Sequence, residues 1–222
     1  MFFCSSSRQT YEIGQLTTSK LWRKPPSSTS TLHCRIQADD ILRFGRVRYF
    51  AFGSNMNPGV MQGLRQVKPI KSCPGVVNQY KLAFNLVGTP AIEPSFASAE
   101  PSDKDDDELH GVLYTLTRSD WQKVARTEGV GFAYNLEEVV VHTYEGRKLQ
   151  AVTLRTKPGL LRAPFGRDIP PSKGYLDLLI KGAEFYNLKE EYIDKLKSIQ
   201  PNPAVFVNTK DMYDLLRINI GN

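Results

Sequence analysis

Only three cysteines and three histidines occur in the 222-residue chain, and their placement removes two kinds of chemistry. Cys4 and Cys34 fall within the first 38 residues and Cys73 stands alone beyond them, so the body of the chain holds no disulfide framework. His110 and His142 are the only histidines past that point. Neither joins a Cys/His cluster, both read as ordinary strand residues, and no metal is expected. Long apolar runs are missing too: none approaches the roughly 18 residues of a spanning helix. With 41% hydrophobic and 23% charged residues the composition is that of a globular chain, and no membrane partner is expected. Concentrated positive charge is also absent. The formal charge is +6, but residues 1–37 hold five bases (Arg8, Lys20, Arg23, Lys24 and Arg35) against one acid, Glu12. The remainder carries 24 bases and 22 acids, with no basic run able to track a phosphate backbone, so no nucleic-acid partner is expected.

The near absence of acids from residues 1–38, beside many Ser and Thr, is the composition of an organelle transit peptide. The Ser/Thr cluster at 27–31 points to a plastid, with mitochondrion or cytoplasm as alternatives. The rest fits one domain of ordinary size over 45–200, with a tail at 201–222 whose residues 211–217 read as a last helical turn or two.

The chain is organised around Val-Arg-Tyr-Phe-Ala-Phe-Gly-Ser-Asn-Met at 47–56, a run of strand formers that ends in turn residues. Gly53 admits torsions closed to other residues, and Ser54 and Asn55 favour local turns, so N–H groups are left pointing outward as a candidate anion cradle. Asn57 reads as an N-cap with Pro58 at the first helical position of a short helix reaching about residue 64. The positive end of its dipole would face the same spot. An ordinary strand-to-helix turn is the plain alternative.

Further along, one strand is predicted over 75–84, with Tyr80, Leu82 and Phe84 on one face, and another at 96–99. The acidic run at 103–108 reads as a solvated loop. A strand at 111–116 leads into a helix at 119–128, with Ser119 and Gln122 at capping-box spacing and Trp121 and Val124 toward the core. Gly129 stops that helix and leaves the Glu128 carboxylate beside the negative end of the dipole, an uncomfortable place for a charge. Strands follow at 134–142 and 149–156. Six prolines and glycines between 157 and 171 make a long loop of the kind that covers sites. Two helices close the pattern, one carrying Tyr175, Leu178, Leu179, Gly182 and Ala183 on a stripe, the other Tyr192, Ile193, Leu196 and Ile199.

Four separated blocks resemble the gamma-glutamylcyclotransferase family, in the family's order. They are residues 50–56, residues 111–113, Glu128-Gly-Val with Tyr134, and Pro-Ser-Lys-Gly-Tyr at 171–175 followed by Gly182 and Ala183. The resemblance implies a single α+β domain, a mixed β-barrel flanked by helices with the active site in a cavity at one end. It also implies that Glu128 is the catalytic acid/base and that Phe52, Gly53, Ser54, Asn55, Met56, Tyr134 and Tyr175 bind the substrate, although Tyr175 reads equally well as a core aromatic. The implied reaction cyclises a γ-glutamyl amino acid or γ-glutamyl amine to 5-oxoproline and releases the amine, with a small molecule as partner and no cofactor. One carboxylate can take a proton from the substrate's α-ammonium and later pass it to the leaving amine. Nucleophile and electrophile share one molecule, so holding them bent together supplies much of the gain. Loop N–H groups would fix the α-carboxylate or steady the carbonyl oxygen, and the sequence leaves both open. Phe52 stands where the family often has tyrosine, which supports the alternative of a small-molecule-binding or regulatory protein that keeps the cavity without the chemistry. The loop ending of the glutathione-specific branch is absent, making glutathione itself a less expected substrate. Ser54 has neither a Gly-x-Ser-x-Gly elbow nor a histidine partner, so serine-hydrolase chemistry is not expected. The sequence sets no oligomeric state.

Overall fold

Strand β1 (Arg46–Ala51) is the seam of a closed barrel. The computed structural model describes residues 45–205 together with 210, 211 and 214. The leader expected at 1–38 and most of the helical turns expected at 211–217 lie outside the described residues. Around the barrel the order is β1, β5 (Glu108–Thr117), β2 (Lys71–Asn78), β6 (Tyr134–Thr143) and β7 (Lys148–Thr156). Neighbours are antiparallel except where β7 meets β1 in parallel at Tyr49 and Val152 and closes the ring. A separate hairpin, β3 (Tyr80–Thr89) and β4 (Glu93–Pro101), lies against β7. It is tied there by a 2.8 Å bond from the Thr156 N–H to Ser98 Oγ and by Arg155 on the Glu100 carboxylate. The mixed barrel with few helices is the α+β domain expected.

The strand expected over 75–84 is two strands. Gln79 turns the corner between them at φ 58°, donating its N–H to Asp107 O and accepting from Ser102 N–H, both at 2.8 Å. These bonds take the chain out of the barrel into the hairpin, a turn that strand formers on both sides conceal. Helix α1 (Arg118–Thr127) follows β5 with no intervening loop, so its cap is Thr117. The Thr117 hydroxyl oxygen accepts from Asp120 N–H (3.0 Å) and its O–H donates back to the Asp120 carboxylate (2.9 Å). The N-cap thus lies two residues ahead of the one expected at Ser119, and Asp120 binds the cap's hydroxyl in place of the reciprocal backbone bond of a capping box. Gly129, at φ +66°, ends α1 as expected.

Helices α2 (Lys173–Phe185) and α3 (Glu190–Ser198) pack on one another and complete the core through Leu178, Leu179, Ile193 and Leu196. Gly182 lets α2 settle directly on the chain after β1: a Cβ there would stand 2.7 Å from Met56 Cβ and 2.8 Å from the Asn57 nitrogen. This approach holds the loop at 53–56 from behind.

Candidate active site

Thr153 of β7 ties the end of β1 with a 2.9 Å bond from its hydroxyl to Phe50 O. Phe52, Gly53, Ser54 and Asn55 therefore emerge beside Leu154 of β7 and Tyr134 at the start of β6. Together with Tyr49, Ala97, Glu128 and Tyr175 they line a concavity of about 260 Å³, open mouth included, at this end of the barrel.

The loop turns through a single 3-10 turn, Ser54–Met56, in which Met56 N–H reaches Gly53 O (3.0 Å) and Asn57 N–H reaches Ser54 O (2.9 Å). Among the described residues the N–H groups of Ser54 and Asn55 donate to no backbone carbonyl. Gly53 does not use the left-handed torsions that glycine permits; its φ is −105°. Its role is steric, since a Cβ would lie 3.3 Å from both Ala97 Cβ and Tyr175 Oη. Asn57 does cap the following helix, Gly59–Leu64, accepting from Gly59 N–H at 2.8 Å. That helix closes with the wider π spacing, Arg65 N–H to Val60 O, and none of its residues lines the concavity, so the expected dipole contribution is not found there. Met56 also departs from expectation. It is fully buried against α2 and takes no part in the wall.

Glu128 caps the C-terminus of α1 with its side chain 15% exposed. Its Oε1 accepts from Asn55 Nδ2 at 2.9 Å and from the guanidinium of Arg65. Arg65, whose side chain is 4% exposed, also donates Nε–H to Asn55 Oδ1 (2.6 Å) and a further N–H to Thr127 Oγ1. This cation answers the carboxylate at the negative end of the helix, and nothing in the local pattern around Arg65 marks it. Tyr49, whose hydroxyl oxygen accepts from Asn55 Nδ2 at 2.9 Å, was equally unmarked.

The two tyrosines meet the same residue of β4. Tyr134 donates its hydroxyl to Ala97 O at 2.8 Å, and Tyr175 accepts from Ala97 N–H at 3.2 Å. The Ser54 and Tyr175 hydroxyls are also hydrogen-bond partners. The Tyr175 ring is edge-on to Phe96 and Phe84, with centroids at 5.4 and 6.5 Å, so the residue is core aromatic and wall at once. Burial pushes the hydroxyls of Tyr49, Tyr134 and Tyr175 well above the usual phenol range, which keeps them neutral.

Behind Tyr175 stands Glu93. Ser172 caps α2 by accepting from Tyr175 N–H (3.0 Å), while its own N–H (3.0 Å) and hydroxyl both donate to the Glu93 carboxylate. Burial pushes the Glu93 carboxyl up to about 7, against the lowering effect of those bonds.

One carboxylate, neutral phenols and loop N–H groups are gathered in one concavity at the end of the barrel, a set of groups able to exchange protons with and hydrogen-bond a small polar molecule. Residues 108–196 match the model of the AIG2-like family. The chain is 29% identical over 179 residues to gamma-glutamyl cyclotransferase gliK of Aspergillus fumigatus, covering 71% of this chain and 64% of that one. It thus spans less than two thirds of that relative's length. To the gamma-glutamylcyclotransferase of Mus musculus it is 29% identical over 171 residues, 76% of this chain and 87% of the other. A solved gamma-glutamyl cyclotransferase shares the fold, with a TM-score of 0.63 at 23% identity over 78% of this chain and 99% of that one. The chain is thus similar in sequence to gamma-glutamylcyclotransferases and, over residues 108–196, to the AIG2-like family, and it has the fold of the solved gamma-glutamyl cyclotransferase.

Proposed function

We propose that the chain is a gamma-glutamylcyclotransferase that converts γ-glutamyl amino acids or γ-glutamyl amines to 5-oxoproline and the free amine. The observation that carries this reading is Glu128, a mostly buried carboxylate that shares the concavity with the loop at 53–55 and with Tyr175. Glu128 takes a proton from the substrate's α-ammonium. The freed amine attacks the γ-carbonyl carbon, a five-membered ring closes, and the bond to the leaving nitrogen breaks as Glu128 returns the proton. The two protons shed by the attacking nitrogen end on the leaving amine, so the balance calls for no oxidant and no cofactor. Ser54 N–H, Asn55 N–H and Tyr175 O–H serve as donors to the substrate's oxygens. Phe52 contributes an apolar wall where a tyrosine would have offered a hydroxyl. The composition of residues 1–38 supports import into a plastid, and the partner is a small molecule.

Incubating the full chain with a panel of γ-glutamyl amino acids and amines should release 5-oxoproline and amine in equal amounts. Calorimetric binding of these compounds without release would sink the enzyme reading and favour the binding protein that Phe52 suggests.

A further inference from the structure

The arrangement of Arg65 asks for a role of its own. An arginine facing a carboxylate commonly uses two parallel N–H groups and occupies both oxygens. Here one arm of that fork is diverted. One terminal nitrogen donates to Thr127 Oγ1, Nε donates to Asn55 Oδ1 at 2.6 Å, and only the other terminal nitrogen reaches Glu128, on Oε1. Asn55 Nδ2 arrives at the same oxygen, at 2.9 Å. Glu128 Oε1 therefore receives two donors, and among the described residues Oε2 receives none. Arg65 itself is buried and does not line the concavity, whereas Asn55 and Glu128 do. Its three contacts join two pieces of wall that no backbone ladder connects: the loop after β1 and the last turn of α1.

We propose that Arg65 is a positioning residue for the cyclisation, which fixes Glu128 through Oε1 and so reserves Oε2 as the oxygen that accepts and returns the proton. This rests on the function proposed above. A carboxylate anchored at one oxygen keeps its other lone pairs aimed at one place, which a proton shuttle between two nitrogens of one bound molecule requires. A symmetric fork would have consumed both oxygens, and an unanchored carboxylate would swing. Thr127 is part of the device, because it draws off the arm that would otherwise close on Oε2.

The test is steady-state release of 5-oxoproline by the full chain from the best substrate of the panel. Arg65→Lys keeps the charge but cannot hold Asn55, Thr127 and Glu128 together. It should lower kcat by about 10- to 100-fold while KM moves by less than about threefold. Thr127→Val removes the diverting acceptor and, with it, the hydroxyl's bond to the Lys123 and Val124 carbonyls one turn back; it should lower kcat several-fold with a native circular dichroism spectrum, and it decides the matter should the lysine variant not fold. A purely structural arginine would act independently of the acid/base. In the Glu128→Gln background, therefore, Arg65→Lys should cost no more than about a further twofold. Parental kcat in both single variants, or full additivity with Glu128→Gln, overturns this assignment and leaves the proposed function standing. Absence of 5-oxoproline from the unsubstituted chain across the panel overturns the function, and this assignment with it.

Discussion

Glu93 makes the stability of this protein depend on pH in a direction opposite to that of most carboxylates. It is 4% exposed, at the start of β4, and holds the N-cap of α2 through Ser172. Among the described residues no cation stands within ion-pair distance of it. Burial raises its carboxyl from 4.5 to about 7, so between those values the folded protein keeps a proton that the unfolded chain has lost. Where the native state binds more protons, stability falls as pH rises. The contribution is therefore fully present below pH 4.5, declines through the window, and is gone above about pH 7. At about 1.4 kcal/mol per unit of separation, charging Glu93 costs the fold roughly 3 kcal/mol. Glu93→Gln cannot ionise, yet its amide still accepts from the Ser172 N–H and can donate to the Ser172 hydroxyl oxygen. Melting curves of parent and variant should nearly coincide at pH 5, and at pH 8 the variant should melt higher by roughly 5–10 °C for a domain of this size. Other titrating groups are common to both proteins and cancel in the difference. A difference in melting temperature that stays constant from pH 5 to pH 8 would refute the argument.

Glu128→Gln preserves shape and an acceptor for Arg65 but removes the proton carrier; kcat for 5-oxoproline release should fall about 100-fold or more with native circular dichroism, and near-parental turnover would end the mechanism. Gly53→Val drives methyl groups toward Ala97 and the Tyr175 hydroxyl, each 3.3 Å from the Cβ position. Its kcat/KM should drop by at least about tenfold while stability falls by no more than about 1–2 kcal/mol, and a loss of stability without loss of activity would mean that the glycine only shapes the turn. Gly182→Ala puts a methyl into the contact of α2 with Met56 and Asn57, so urea unfolding should show a loss of about 1–3 kcal/mol, whereas an unchanged midpoint would refute the close approach.

What the sequence carried is local, and the boundary of its reach is visible at particular residues. Gly129 could be placed because a helix stop is a property of one residue's torsions, and it fixed the position of Glu128 with it. Ser54, Asn55 and Tyr175 were legible through short strings in a fixed order, although no string says that Tyr175 would reach both Ala97 and Ser54. Errors arose where an identity admits two local outcomes. Gln79 can continue a strand or turn left-handed, and the bonds to Asp107 and Ser102 made the choice. Met56 follows Asn55 in the same loop, but the 3-10 turn rotates it away from the concavity and under Gly182. Arg65 lies at the opposite limit. It sits in a polar turn that predicts only exposure, 63 residues from the carboxylate it meets. The partner of a buried charge is chosen when β1 closes on β7 and α1 docks beside it, a step in which every contact is long-range. A lone carboxylate at a helix C-terminus is nonetheless a local statement of an unmet need. Burial at that place requires a cation or a proton, and the need for such a partner was readable even though its identity was not.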